Sequence, residues 1–182
     1  MTSVKAGIVL MIYNAVESTI TKCLEKLHDV FQKNELKFDD CNDKIKHLVL
    51  AYYENAMTKS ADINSAVQCK LKLYGYLKGE RNFELSFAQL SKFYSLYSGN
   101  LDSKEIVSVL EKYGIKIEER ISELKTIKEN RNKLAHGELT FEEVGRDLTL
   151  QHLKKMKEET FKYMRNVISS IEKFIDEEKY KK

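Results

Sequence analysis

Not one proline interrupts the 182 residues of this chain, and only seven glycines do. Proline fixes φ and removes a backbone donor, and glycine serves where the chain turns tightly. A fold of many short strands and turns therefore lacks its usual punctuation here, whereas long helices do not need it. Apolar residues recur every three or four positions over most of the length. The sequence predicts an all-α chain, an up-and-down helical bundle with one irregular insertion between the second helix and the C-terminal helices.

The first helix is predicted over 4–32, with Ile8, Met11, Ile12, Ala15, Thr19, Cys23, Leu24, Leu27, Val30 and Phe31 as its inner seam. Residues 34–42 read as a loop, and a second helix over 43–57 turns Ile45, Leu48, Val49, Tyr52 and Tyr53 inward. The stretch 58–101 is less regular. Leu71, Leu73, Tyr74, Tyr76 and Leu77 fit a short helix or a strand, and Phe83, Leu85 and Phe87 alternate before helical spacing returns through Phe93, Leu96 and Tyr97. It is expected to be an inserted subdomain with a small core, within a single domain spanning 1–182. Its aromatics are interleaved with Lys72, Lys78, Arg81 and Lys92, a pattern that also suits base stacking, although packing accounts for it more simply.

Beyond the insertion, Asp102 and Glu105 resemble a capping box ahead of a short helix over 104–113, stopped by Gly114. A long helix is predicted over 116–136 and halted by Gly137. Thr140 and Glu143 form a second capping-box pattern. The last helix, 150–179, carries Leu153, Met156, Phe161, Met164, Val167, Ile168, Ile171, Phe174 and Ile175.

Charge narrows the function. Thirty-one Lys and Arg against 28 Asp and Glu leave a formal balance of only +3, with both signs mixed. Binding nucleic acid mainly by charge requires more, so any such contact is expected to be local and made through a lined cleft. Cys23, Cys41 and Cys69 have no metal-ligand spacing and are odd in number, which points to a reducing compartment with Cys23 as a small core residue. The apolar run 7–13 follows Lys5 but is too short to span a bilayer and leads into Asn14 and Glu17 without a cleavage site. A cytoplasmic protein with no membrane partner is expected. Neither a metal-ligand cluster, a Gly-rich phosphate loop nor a nucleophile elbow is legible, so no metal and no cofactor is assigned.

The chemistry concentrates in Glu129-Asn130-Arg131-Asn132-Lys133-Leu134-Ala135-His136-Gly137. Arg131 can hold a phosphate bidentately and keeps its charge at any working pH. His136 can exchange a proton near neutrality. In a regular helix the two lie about 140° apart around the axis, so they do not share a face. Asn132 and His136 do, and Asn132 is expected to orient the imidazole. Arg131 continues the seam Ile117, Ile121, Leu124, Ile127, a position where a cation needs a partner or an opening. Arg146 and His152 repeat a similar spacing, but they straddle Thr149, a predicted N-cap, and so leave different elements. Arg146 is expected to pair with Asp147, Glu142 or Glu143, or to assist as a second phosphate contact. His28 and His47 fall within helical surface patterns and are read as structural.

Arg131-Asn132-Lys133-Leu134-Ala135-His136 resembles the signature of HEPN domains (higher eukaryotes and prokaryotes nucleotide-binding): arginine, a polar residue, a spacer and histidine. The segments Met11-Ile12-Tyr13-Asn14-Ala15-Val16-Glu17-Ser18-Thr19, Gly99-Asn100-Leu101-Asp102 and Phe141-Glu142-Glu143-Val144-Gly145-Arg146-Asp147-Leu148-Thr149 resemble further blocks of one prokaryotic, nuclease-like HEPN subfamily. The resemblance implies a bundle that dimerises and brings two Arg/His pairs into one cleft. It further implies a metal-independent endoribonuclease acting on RNA, a toxin or phage-defence effector restrained by an antitoxin or a related HEPN chain. Arg131, His136 and Asn132 are then the catalytic candidates, with Asn14, Glu17, Lys133 and Arg146 as possible lining. Other HEPN domains are catalytically silent modules that bind RNA or a protein partner, and that is the alternative expectation.

Overall fold

The computed structural model describes residues 2–94 and 100–182. Eight helices are found among them: α1 (Thr2–Lys33), α2 (Asp43–Thr58), α3 (Ile63–Leu77), α4 (Phe87–Tyr94), α5 (Ser103–Glu111), α6 (Glu123–Ala135), α7 (Phe141–Arg146) and α8 (Leu150–Asp176). No strand is found among the described residues; the extended pieces make only two isolated bridges, Lys37 with Asn82 and Cys41 with Lys181. The all-α expectation holds, and the 71–77 segment is helical. Leu96 and Tyr97 lie outside the described residues.

Most of the helix starts follow from side-chain caps. Asn42, Asp62, Asp102 and Thr149 each accept a backbone N–H from the first turn of the helix that follows. Thr140 and Glu143 cap each other reciprocally, as their spacing implies. Asn42 also joins distant segments, because its Nδ2 donates to the carbonyl of Lys179 at 2.8 Å and to that of Tyr113 at 3.4 Å.

Four expectations are corrected. The helix predicted over 116–136 begins only at Glu123. Gly114 adopts φ +92, and after it Ile115, Ile117, Glu119 and Ile121 face inward at alternate positions while 116, 118 and 120 are exposed. That is the period of extended chain, which β-branched isoleucines favour. The last helix stops at Asp176 because Glu178 turns left-handed at φ +50 and sends Tyr180 back into the core, where the Asn34 amide donates to its hydroxyl at 2.7 Å. His28 is not a surface residue. It is buried against Phe31, Phe83, Phe87 and Tyr113, with Nδ1 2.7 Å from the Leu85 carbonyl and Nε2 2.8 Å from the Tyr113 hydroxyl. Burial pushes its pKa down to about 4, so it is a neutral structural group near pH 7.

The seam of α1 is rotated from the expected one. Met11 is 71% exposed and Ala15 is also outside, while Val9, Tyr13, Val16 and Ile20 are buried beside Leu24, Leu27 and Phe31. The N-terminal half of α1 is apolar on two faces (Val4, Ile8, Met11, Ala15 and Ala6, Val9, Tyr13, Val16), so periodicity alone cannot choose between them. Packing against α7 chooses. A Cβ on Gly145 would lie 2.0 Å from the carbonyl oxygen of Thr2, so the two backbones touch where only glycine fits. Lys5 Nζ then donates to the Leu148 carbonyl at 2.6 Å and closes the turn after α7. From this seam α1 packs on α6, α7 and α8, while α2 carries α3 and α4. Phe83, Leu85, Phe87 and Leu90 join the same core as Leu27 and Phe31.

Because backbone is the atom in the way, Gly145→Ala forces α7 off α1. We expect a loss of about 1–3 kcal/mol in urea denaturation, the usual cost of overpacking. An unchanged midpoint would show that the contact with Thr2 is not tight.

Candidate functional site

Arg131 lies on the α1 side of α6, half-buried, with its guanidinium carbon 4.7 Å from the centroid of the Tyr13 ring. Leu124 and Ile127 behind it are fully buried, so the apolar seam of α6 does run into this cation. The partner that the sequence demanded is therefore a π face. Tyr13 is itself fixed. Its ring is buried on α1, and its hydroxyl accepts the Leu101 N–H at 3.1 Å. Burial raises the phenol pKa and the Glu17 carboxylate adds to this, while the Leu101 hydrogen bond and the charges of Arg131 and Lys128 pull the other way. The ring stays neutral and keeps its negative face toward the guanidinium.

A second fastening holds α6 one turn earlier. Lys128 pairs with Asp102, the N-cap of α5, whose other carboxylate oxygen accepts the Glu105 N–H at 2.9 Å. Burial alone would raise the Asp102 pKa, but Lys128 and the Glu105 N–H outweigh it and hold the carboxyl below its usual range. The predicted Asp102 cap is present, and it doubles as the anchor of the site helix.

The end of α6 is shaped by Gly137, at φ +69. Glu138 N–H reaches the Lys133 carbonyl at 2.9 Å and Gly137 N–H that of Leu134 at 3.3 Å. This pair of bonds is a Schellman ending, which places His136 as the C-cap with its side chain exposed. Asn132 does not orient it. Its Oδ1 instead accepts from Arg131 Nη1 at 3.0 Å, so the amide steadies the guanidinium. Among the described residues the imidazole has no hydrogen-bond partner.

The lining candidates are spread more widely. Asn14 and Glu17 stand next to Tyr13 on α1 and, with Ser18, Thr21, Lys22 and Glu25, border a shallow groove of about 410 Å³. Lys133 is exposed in the last turn of α6. Arg146 is exposed at the end of α7, where its charge helps lower the Glu143 carboxyl, chiefly stabilised by the Thr140 backbone N–H. His152 sits in the first turn of α8, its N–H bound to Thr149 Oγ1 at 3.0 Å, in a depression of about 640 Å³ that also includes Lys155 and Glu159. That depression is the more voluminous; of its two lysines, Lys154 and Lys155, Lys155 pairs with Glu123 at 3.2 Å and Glu159 at 3.6 Å. No group of three or more His, Cys, Asp and Glu is arranged to hold a metal ion among the described residues, and no helix there is long and apolar enough to cross a membrane.

The model of the HEPN_MAE_28990-like HEPN family matches residues 1–180. The chain belongs to this HEPN family. No curated protein and no solved structure matches it. Membership makes the chain a nuclease-like or RNA-related module, and HEPN domains commonly dimerise and act on RNA. In this HEPN chain, Tyr13 and the Asp102–Lys128 pair are the site features that pattern reading did not foresee. Tyr13 stands within a block that resembles the family, yet nothing in one sequence states which of two apolar faces of α1 meets Arg131.

A guanidinium over an aromatic face is shielded by the ring current. The Arg131 side-chain N–H proton resonances are expected to lie upfield of those of exposed arginines, to remain so in Tyr13→Phe and to return in Tyr13→Leu. Random-coil shifts in the wild type would contradict the stacking.

Proposed function

We propose that this HEPN chain is a metal-independent endoribonuclease that works as a two-fold homodimer. The observation that carries the reading is the pairing of a pinned Arg131 with an exposed His136 at the end of the same helix. Cleaving RNA without a metal requires a base for the 2′-hydroxyl, positive charge at phosphorus and an acid for the leaving oxygen. His136 takes the 2′-hydroxyl proton, O2′ attacks phosphorus, and the P–O5′ bond breaks with a proton delivered to O5′. Arg131 holds the non-bridging oxygens, and Asn132 keeps its guanidinium in plane. One chain supplies one exposed imidazole here, so a second copy with its α6 end facing the first supplies the acid. Lys133 and Arg146 contact the RNA backbone, and Asn14 and Glu17 line the approach. Such an activity suits a cytoplasmic toxin or phage-defence effector, restrained by an antitoxin or a related HEPN partner.

Purified protein incubated with mixed RNA tests this. Cleavage is expected to persist in EDTA. Arg131→Ala and His136→Ala are each expected to lose at least about a hundredfold with circular dichroism unchanged, and His152→Ala to stay within about tenfold. Abolition by EDTA, or His152→Ala as the dead variant, would contradict the mechanism. A folded wild type that binds RNA but never cuts it would favour the silent-module alternative.

A further inference from the structure

Helices α1 and α8 leave an open seam between them on the side of α1 away from Arg131. Met11 and Tyr13 lie about 200° apart around the α1 axis. Tyr13 is buried under the guanidinium, whereas Met11 is 71% exposed. Two hollows follow each other along the seam. The first, about 380 Å³, lies between Ile8 and the stretch 150–157; the second, about 230 Å³, lies between Ala15, Thr19 and the stretch 161–168. The two helices therefore run parallel here, and the seam from Leu150 to Ile168 is about 27 Å long at the helical rise per residue. Apolar side chains stand exposed along it, Val4 at 66%, Leu150 at 56% and Phe161 at 40%. Large apolar groups gathered on one face mark a contact surface. A concave seam of this length between two helices is a shape that a third helix fills, whereas a flat bilayer surface does not reach its floor.

We propose that this seam docks a helix of a protein partner whose apolar face is flanked by acidic residues. The charges lining it are of one sign. Lys154 and Lys157 line the first hollow and Arg165 the second, and no carboxylate lines either. None of these three cations makes an ion pair or a hydrogen bond among the described residues. The acids of the same stretch of α8 face elsewhere: Glu158 borders the His152 depression, and Glu159 pairs there with Lys155 at 3.6 Å. A second copy brings no acid to match. Its α1 has no carboxylate between Thr2 and Val16, and the one cation there, Lys5, is spent on the carbonyls of Gly145 and Leu148. Its α8 would set the same three cations against themselves. Its α3, exposed along Ile63, Val67, Leu71 and Tyr74, carries Lys70 and Lys72 and no carboxylate, and Asp62 before it is engaged with Ser65 as the cap. A foreign acidic helix brings apolar side chains to the floor and opposite charge to Lys154, Lys157 and Arg165 together. RNA answers to the same cations, but Ile8, Leu153, Met164 and Ile168 give bases no face to stack on, and Phe161 is the one ring in either hollow.

The test uses the full chain and a labelled helical peptide of about 20 residues, long enough to fill the seam, with leucines at three-four spacing and glutamates on both flanks. A twin carries lysine in place of every glutamate. The acidic peptide is expected to bind with a Kd on the order of 10 µM at low salt, and its twin at least about tenfold more weakly. Met11→Gln is expected to weaken the acidic peptide by about tenfold, and Lys154→Glu combined with Lys157→Glu to weaken it while strengthening the twin. Leu71→Gln, on α3, is expected to leave both affinities unchanged. All four side chains are exposed, and circular dichroism checks that each variant is folded. The proposal is overturned if the acidic peptide fails to bind at about 100 µM, if the two peptides bind alike, or if Leu71→Gln weakens binding and Met11→Gln does not. It is equally overturned if Met11→Gln abolishes binding to single-stranded RNA, dissolves a dimer in sedimentation, or releases the chain from phosphatidylcholine–phosphatidylserine vesicles, which would assign the seam to RNA, to a second copy or to a membrane.

Discussion

A guanidinium resting on the face of a buried tyrosine is the contact around which the site of this HEPN chain is arranged. An arginine in line with a helix seam has no apolar way to satisfy its charge, and leaving it unpaired there costs several kcal/mol in the general case. The Tyr13 face returns about 1–2 kcal/mol when the pair is partly desolvated. The Asn132 carbonyl oxygen takes one of the five guanidinium N–H groups. The rest of the fork is left for an anion. Stacking thus fixes the plane of the cation without spending its donors on a carboxylate, which is what a phosphate clamp needs. Holding Tyr13 under Arg131 depends in turn on the rotation of α1, set at its N-terminus by the Gly145–Thr2 approach and at its middle by the Leu101 hydrogen bond.

Much of the fold was legible because the helices announce their own ends. Asn42, Asp102, Thr140 and Thr149 sit where cap chemistry requires them, and Gly114 and Gly137 stand at left-handed turns. Where pattern reading failed, two patterns competed. Ile117 and Ile121 satisfy both a helical and an alternating count, and Ile115, with the turn at Gly114, decides for the second. The N-terminal half of α1 and the whole of α3 are apolar on two faces, so a hydrophobic count finds the helix but not its orientation. For α1 the choice belongs to a backbone contact 143 residues away in sequence, between Thr2 and Gly145. His28 looked like a surface residue because the phenylalanines around it, Phe83 and Phe87, come from a distant stretch of chain.

The site divides in the same way. The placement of Arg131 and His136 at the end of one helix was readable, because their spacing and the glycine behind them lie within one local stretch. The role of Asn132 was half readable: a short amide beside a cation and one turn from an imidazole has two possible partners, and the nearer one prevails. Tyr13 and Asp102–Lys128 were not readable as site elements, since each is a tertiary contact between helices. These contacts explain how a short helix of 13 residues holds the Arg131 guanidinium in place near its end.

Arg131 and His136 are proposed to direct attack by a neighbouring 2′-hydroxyl, and the chemistry of the cut ends tests this most directly. RNA cleaved by the wild-type protein is analysed by mass spectrometry, alongside a substrate carrying a single 2′-deoxy residue at the cut position. Attack by the 2′-hydroxyl leaves 2′,3′-cyclic phosphate or 3′-phosphate ends and gives no cleavage at the deoxy position. Ends bearing 3′-hydroxyl and 5′-phosphate, or equal cutting of the deoxy substrate, would contradict it.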